Sequence, residues 1–282
     1  MKKRIFILGS SGIISKNLQK MLRKKKKKFV VYGKKDINLI NKKSIHILQK
    51  KVKTNDMIVF ISAQAPAKNS KMLQSNIEMC KNFCEALAYK KISNIIYISS
   101  DAVYSDSLKK LNENSETLPR SFHGIMHFTR ELILKIYFKN LCIIRPTLVY
   151  GPGDTHKGYG PNRFLELANN NKNIVLFGKG EELRDHVYID DLINILYECI
   201  INNKKGVFNI ASGKINSFQR IAKIIVNLSK SKSKILPTKR VGQMPHNGYR
   251  PFNVSLIKKN FNKVKLTNIK DGIIKYLRNY KK

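Results

Sequence analysis

The sequence predicts an α/β protein, a doubly wound parallel sheet followed by a smaller mixed C-terminal lobe. Two observations carry this expectation. Through residues 1–150, short apolar runs of strand length alternate with segments of helical periodicity, the pattern of a parallel sheet with helices on both faces. Beyond residue 150 the alternation breaks into loops punctuated by Gly and Pro. At 282 residues and 42% apolar composition, the chain can bury a sizeable core in one large or two smaller domains. The expected division is 1–150 and 151–282, with parts of the second segment returning to the first sheet.

Taken in order, the first strand runs from Arg4 to Leu8 and ends in Gly9-Ser10-Ser11-Gly12-Ile13-Ile14-Ser15, directly before a helix over Lys16 to Arg23. Glycines at such a turn let backbone N–H groups and the helix N-terminus face a pyrophosphate without side-chain obstruction. The plainer reading is a strand-to-helix turn with no ligand. Strands follow at Phe29 to Tyr32, Met57 to Ile61, Asn94 to Ser99 and Leu141 to Arg145, with helices at Ser44 to Lys50, Asn69 to Tyr89 and His123 to Phe138. The second part shows a strand near Ile174 to Phe177 and helices near Ile189 to Ile201 and Phe218 to Leu228.

Composition excludes several classes. Every apolar run is broken by Lys, Asn or Asp well before the roughly 18 residues a membrane span requires. The basic start and the apolar Ile5-Phe6-Ile7-Leu8 are cut short by glycine and serine, too soon for a signal peptide, so a cytoplasmic chain is expected. Cys80, Cys84, Cys142 and Cys199 lack metal-type spacing and read as reduced, buried thiols. The formal charge of +37 raises nucleic acid as a partner. However, 44 lysines against 11 arginines are spread along the whole chain, which reads as a solvated surface with no specific nucleic-acid or membrane partner. The one dense run, Lys24 to Lys28, falls where cations suit a helix C-terminus.

Several segments occur in a fixed order: the glycine turn; Tyr97-Ile98-Ser99-Ser100-Asp101-Ala102-Val103-Tyr104; Arg145-Pro146-Thr147-Leu148-Val149-Tyr150-Gly151-Pro152-Gly153; Arg184-Asp185-His186-Val187-Tyr188-Ile189-Asp190-Asp191; and Phe208-Asn209-Ile210-Ala211-Ser212-Gly213. Together they resemble the extended short-chain dehydrogenase/reductase family of nucleotide-sugar epimerases, dehydratases and reductases, over essentially the whole chain. The resemblance implies a Rossmann-type domain, a nicotinamide cofactor and a nucleotide-sugar ligand, with a role in surface-polysaccharide synthesis. It implies cofactor contacts at Gly9, Ser11, Gly12, Ile13, Ile14, Lys34, Ala63, Gln64, Ile98, Ser99, Pro146 and Thr147. An acid at the end of the second strand would read the adenosine ribose, whereas a cation favours a 2′-phosphate. The chain has Tyr32-Gly33-Lys34-Lys35, which favours NADP over NAD.

The family places Tyr-Gly-x-x-Lys, then a glutamate four residues on, where this chain has His123-Gly124-Ile125-Met126-His127 and Glu131. His123 thus takes the place of the catalytic tyrosine and His127 that of the lysine. Three readings stand. His123 serves as acid/base, since imidazole titrates near neutrality, with His127 as its support. Alternatively the two histidines, one turn apart on one helix face, bind a metal. Or the chain has lost the chemistry and only binds a dinucleotide or nucleotide sugar. Ser100 matches the family's hydroxyl that bonds the reacting sugar oxygen. Asp101 matches an acid of the dehydratases and some reductases, or is a turn acceptor, and the dehydratases' following glutamate is Ala102 here. On the substrate side, Arg184 and Arg250 match positions that pair with the diphosphate, and Asn162 and Arg163 follow the Gly-Pro loop. Asp190 and Asp191 read as helix-start residues, and His46, His156, His186 and His246 as structural or surface groups. Family members dimerise through two long helices, here Asn69 to Tyr89 and His123 to Phe138, so a homodimer is expected.

Overall fold

A computed structural model describes residues 4–154 and 158–280; His156 and the start Met1-Lys2-Lys3 lie outside the described residues. The elements in chain order are β1 (Ile5–Leu8), α1 (Ile13–Lys24), β2 (Phe29–Tyr32), α2 (Lys43–Lys51), β3 (Met57–Phe60), α3 (Ser70–Leu87), β4 (Asn94–Ile98), α4 (Phe122–Tyr137), β5 (Leu141–Pro146), β6 (Leu148–Tyr150), α5 (Pro161–Asn169) and β7 (Ile174–Leu176). They continue with β8 (Leu183–Tyr188), α6 (Ile189–Ile201), β9 (Gly206–Ile210), β10 (Ile215–Ser217), α7 (Phe218–Ser229), β11 (Ile235–Pro237), β12 (Tyr249–Arg250), α8 (Ser255–Asn260) and α9 (Ile269–Tyr280). Two compact units divide the chain. The first holds the segment ending at Ser105, Glu113–Pro146 and Ile193–Asn209; the second holds Asp106–Asn112, Thr147–Leu192 and the chain from Ile210 onward.

In the first unit six strands form one sheet in the order β2-β1-β3-β4-β5-β9, and β1 to β5 pair in parallel. β1, β3 and β4 are buried along their whole length, which is why they read as continuous apolar runs without alternation. Strand order reverses between β1 and β3, the place where open α/β sheets bind ligands beyond the carboxyl ends of their strands. Leu18 and Leu22 face α1 toward the core while Arg23 and Lys24 close its last turn, as the helix dipole favours. Asn69 caps α3 and Ser121 caps α4, each side chain accepting a backbone N–H of the first turn. The core between the sheet and α2, α3 and α4 includes Phe60 stacked on Phe83 at 4.4 Å.

The second unit is built on β8, which pairs antiparallel with β10 and parallel with β12 and β6. β7 and β11 form a separate parallel pair. Tyr159, Phe164, Phe177 and Phe218 cluster beside them. The strands near Ile174 and the helices near Ile189 and Phe218 form as expected. α5, α8, α9 and β6, β8, β9, β10, β11 and β12 were not anticipated: these strands span only two to six residues, and β8 carries Arg184, Asp185 and His186 where an apolar run would be sought. No described helix is long and apolar enough to cross a membrane. All four cysteines are free and buried.

Candidate active site

The turn after β1 has the geometry a dinucleotide needs. Gly9 adopts φ +108°, and a Cβ there would stand 2.9 Å from the Ser62 backbone nitrogen, so the ends of β1 and β3 touch only because position 9 has no side chain. Ser15 Oγ donates to the Gly9 carbonyl at 2.5 Å and holds the turn. Gly12 is the N-cap of α1, offers no side-chain cap and has open space where a Cβ would lie. The first N–H groups of α1, at Ile13 and Ile14 beside the exposed Ser11, therefore meet no capping side chain and suit a phosphate. These residues fit the pyrophosphate of a nicotinamide dinucleotide. Beyond β3, Asn76 clamps the Gln64 backbone next to Ala63: its Oδ1 accepts the Gln64 N–H at 2.9 Å and its Nδ2 donates to the Gln64 carbonyl at 3.0 Å.

At the end of β2, Lys34 and Lys35 are exposed. The Asp36 carboxylate folds back to accept the Gly33 N–H at 2.8 Å. A carboxylate therefore does stand at this strand end, which the sequence expectation missed because Asp36 lies four residues beyond the strand.

At the end of β4, Ile98 and Ser99 enter the turn that carries Ser100 and Asp101. Ser99 N–H donates to Ile144 at 2.7 Å. Ser100 Oγ accepts the Ala102 N–H at 3.2 Å and caps a single 3-10 turn, Asp101–Val103. α4 packs directly on this turn: a Cβ at Gly124 would stand 2.1 Å from the Ala102 carbonyl oxygen. That approach brings His123 beside Asp101.

The His123 and His127 rings meet edge to face, with centroids 4.7 Å apart. His127 is buried and its Nδ1 lies 2.7 Å from the Tyr97 hydroxyl. Burial pushes the Tyr97 phenol upward in pKa, so it keeps its proton and donates to Nδ1, which places the His127 hydrogen on Nε2. Burial, then the charges of His123 and Arg130, hold the His127 pKa well below the ordinary 6.5. Burial also lowers His123, against an opposing pull from Asp101. The His123 Nδ1 is buried and has no hydrogen-bond partner.

Glu131 does not join the histidines. It accepts from Ser99 Oγ at 2.5 Å and from Arg145 Nε and Nη2 at 2.9 and 2.5 Å. Arg145 Nη1 donates to the Tyr104 hydroxyl at 2.7 Å, which donates to Asn209 at 2.6 Å. Burial disfavours the Arg145 cation, but the hydrogen bonds and charge of Glu131 outweigh it and raise its pKa. The metal reading therefore lacks a third ligand at Glu131, and no three His, Cys, Asp or Glu side chains converge among the described residues.

Residues 5–211 match the model of the NAD dependent epimerase/dehydratase family. The chain belongs to that family. A dTDP-D-glucose 4,6-dehydratase of Dictyostelium discoideum is 26% identical over 80% of this chain and 62% of its own length. An uncharacterized UDP-glucose epimerase of Bacillus subtilis is 22% identical over 96% of this chain and 95% of its own. The structure of a Thermus thermophilus UDP-glucose 4-epimerase in complex with NAD superposes with a TM-score of 0.86 at 16% identity, covering 99% of both chains. The α/β fold of the epimerase/dehydratase family is thus the fold of this chain.

In the second unit of this epimerase/dehydratase chain, register pairing sets Arg184 of β8 opposite Arg250 of β12, two buried guanidinium groups far apart in sequence. Arg184 pairs with Glu182 at 2.9 Å, and Arg250 Nη1 lies 3.5 Å from Asp106 and 2.9 Å from His246 Nδ1. Asn162 staples a loop, accepting the Gly151 N–H at 3.0 Å and donating to Asp154 at 2.7 Å. Arg163 is exposed. Pro146 ends β5, and Thr147 N–H donates to Ile210 at 3.0 Å while its hydroxyl is buried without a partner. Asp191 accepts the N–H and hydroxyl of Thr267 at 2.6 and 2.8 Å from the first turn of α6. Sequence reasoning did not single out Tyr97, Arg130, Tyr104 or Asn209. A buried, hydrogen-bonded tyrosine or arginine has no local signature, because its partners come from other strands.

Proposed function

We propose that the chain is an NADP- or NAD-dependent enzyme that epimerises or reduces a nucleotide-activated sugar in the cytoplasm, in surface-polysaccharide synthesis, with His123 as its acid/base group. The observation that carries this reading is the orphaned Nδ1 of His123 beside Asp101, whose turn Ser100 caps, in a domain that also holds a glycine turn fitting a dinucleotide. A bound nicotinamide supplies hydride acceptance and donation. His123, lowered by burial, is neutral at pH 7 and can take a sugar hydroxyl proton. Asp101 then stabilises the resulting imidazolium, since its charge favours the protonated ring. Ser100 Oγ bonds the reacting oxygen, and His127, fixed by Tyr97, packs against His123 and sets its orientation.

Cofactor contacts are assigned to Gly9, Ser11, Gly12, Ile13, Ile14, Ala63, Gln64, Ile98, Ser99, Pro146 and Thr147. The exposed Lys34 supports the 2′-phosphorylated cofactor. Arg184 and Arg250 are assigned to a nucleotide diphosphate, with Asn162 shaping the loop it staples. The exposed apolar stripe Phe122, Ile125, Leu132 and Ile136 on α4, Ile136 being 81% exposed, supports a homodimer. The second reading, a silent binding protein, is supported by the lack of a cation at position 127.

Native mass spectrometry of the purified protein, followed by a nucleotide-sugar panel read at the reduced-nicotinamide absorbance and by product chromatography, separates the two. The enzyme reading expects turnover that falls at least about 100-fold in His123→Ala, with ligand affinities retained. Bound dinucleotide with no turnover on any sugar establishes the silent protein instead.

A further inference from the structure

Arg130 is, with Arg250, one of the two largest fully buried side chains among the described residues and forms no ion pair with a carboxylate among them. Two aromatic rings take the place of a carboxylate: its guanidinium lies 4.5 Å from the Phe60 centroid and 5.0 Å from that of Tyr97. Nη2 donates to the Ser62 carbonyl at 2.9 Å, Nη1 meets the Met126 sulfur at 3.9 Å, the Cys80 thiol interacts with the guanidinium, and Nε has no hydrogen-bond partner. A buried arginine held by ring faces and one carbonyl is an expensive arrangement where any apolar residue would pack. The two groups it touches are informative. Ser62 donates its N–H to the Leu8 carbonyl at 2.9 Å and lies against Gly9, so its peptide joins the ends of β1 and β3 at the reversal of strand order. Tyr97 holds His127.

We propose that Arg130 is a positioning residue for the dinucleotide site: it fixes the Ser62 peptide against the glycine turn and sets a permanent positive charge one helical turn from His127. The proposal rests on the dinucleotide reading above. The same guanidinium thereby ties the loop carrying Ala63 and Gln64 to the helix carrying His123 and His127. Burial is the main reason that His127 stays neutral and able to accept from Tyr97, followed by the charge of His123, and the charge of Arg130 adds to both. The other charged and titratable groups around α4 are accounted for. Asp101 acts on His123 from the 3-10 turn, Cys80 and Cys84 face Arg130 from α3, Tyr97 faces it from β4, and Glu131 is neutralised by Arg145 of β5. Among the described residues Arg130 is thus a cation close to His127 that no carboxylate neutralises. It restores a positive charge to a helix whose lysine position holds a neutral histidine.

The test uses the full chain without ligand and then with NADP or NAD as probes. Histidine side-chain NMR follows the titration of His127, and calorimetry reads dinucleotide affinity, in wild type, Arg130→Lys and Arg130→Met. The expected result for Arg130→Met is an upward shift of the His127 pKa and about tenfold or greater weakening of the dinucleotide, as loss of a charge-assisted hydrogen bond implies. Arg130→Lys keeps the charge but loses the planar fork, so His127 stays neutral while affinity still falls. If Arg130→Met leaves both readouts unchanged, or if Arg130→Lys releases His127 as fully as methionine does, the proposal is overturned. Should the methionine variant not fold, the lysine variant decides: unchanged affinity overturns the proposal. A wild-type protein that binds neither dinucleotide refutes the dinucleotide reading, while the His127 titrations still report on the charge of Arg130.

Discussion

His186 sits on β8 with 2% exposure, and its protonation state makes the protein's stability depend on pH in a calculable way. Its Nδ1 lies 3.3 Å from the Arg184 carbonyl, its Nε2 has no partner, and its ring meets Phe218 edge-on at 5.5 Å. Burial, reinforced by the charge of Arg184, pushes its pKa from 6.5 down to about 3. Above pH 6.5 both folded and unfolded chains carry the neutral ring and the group adds no pH dependence. Below it the unfolded chain binds a proton that the folded chain refuses, so stability falls with pH until about 3. The loss is about 1.4 kcal/mol at pH 5.5 and about 2.7 kcal/mol at pH 4.5. His186→Phe keeps a ring in the site and removes the titration. Urea denaturation of both proteins at pH 7.5, 6.5, 5.5 and 4.5 measures the difference directly. The variant is expected to gain about 1.4 kcal/mol relative to wild type between pH 7.5 and 5.5. Parallel stability curves across that range would show that the folded protein protonates His186 normally, and the burial argument would fail.

Three further outcomes follow from the geometry. Gly9→Ala forces a side chain into φ +108° and against Ser62 N; it should cost at least about 1 kcal/mol and abolish measurable dinucleotide binding by calorimetry. Arg145→Met strands Glu131, and a loss of about 3–5 kcal/mol is expected; the double variant Arg145→Met with Glu131→Leu should recover most of it in denaturant melts, whereas simple additivity would show that the pair is not coupled. Gly124→Ala places a methyl 2.1 Å from the Ala102 carbonyl and must displace α4 from the Ser100 turn. Turnover should fall more than about tenfold with dinucleotide affinity nearly intact, and equal loss of both would place the damage elsewhere.

The sheet and its helices were legible in the sequence because their signals are local. β1, β3, β4 and β5 are buried on both faces and read as unbroken apolar runs, and Asn69 and Ser121 mark helix starts with their own side chains. The glycine turn was legible too, because a steric requirement at Gly9 leaves a visible residue type. The spacing of His123 and His127 was likewise legible, and α4 does set their rings edge to face. What the tertiary structure alone decided depends on partners distant in sequence. The donation from Tyr97 settles the tautomer of His127, Arg145 withdraws Glu131 from the histidines, and Arg130 finds its counterparts in two rings and a carbonyl. The pairing of β8 with β12 sets Arg184 beside Arg250. Short strands such as β12 and the polar β8 escaped notice for the same reason: a two-residue strand, or one whose buried faces are charged, is stabilised by the strand it meets and leaves no period of its own.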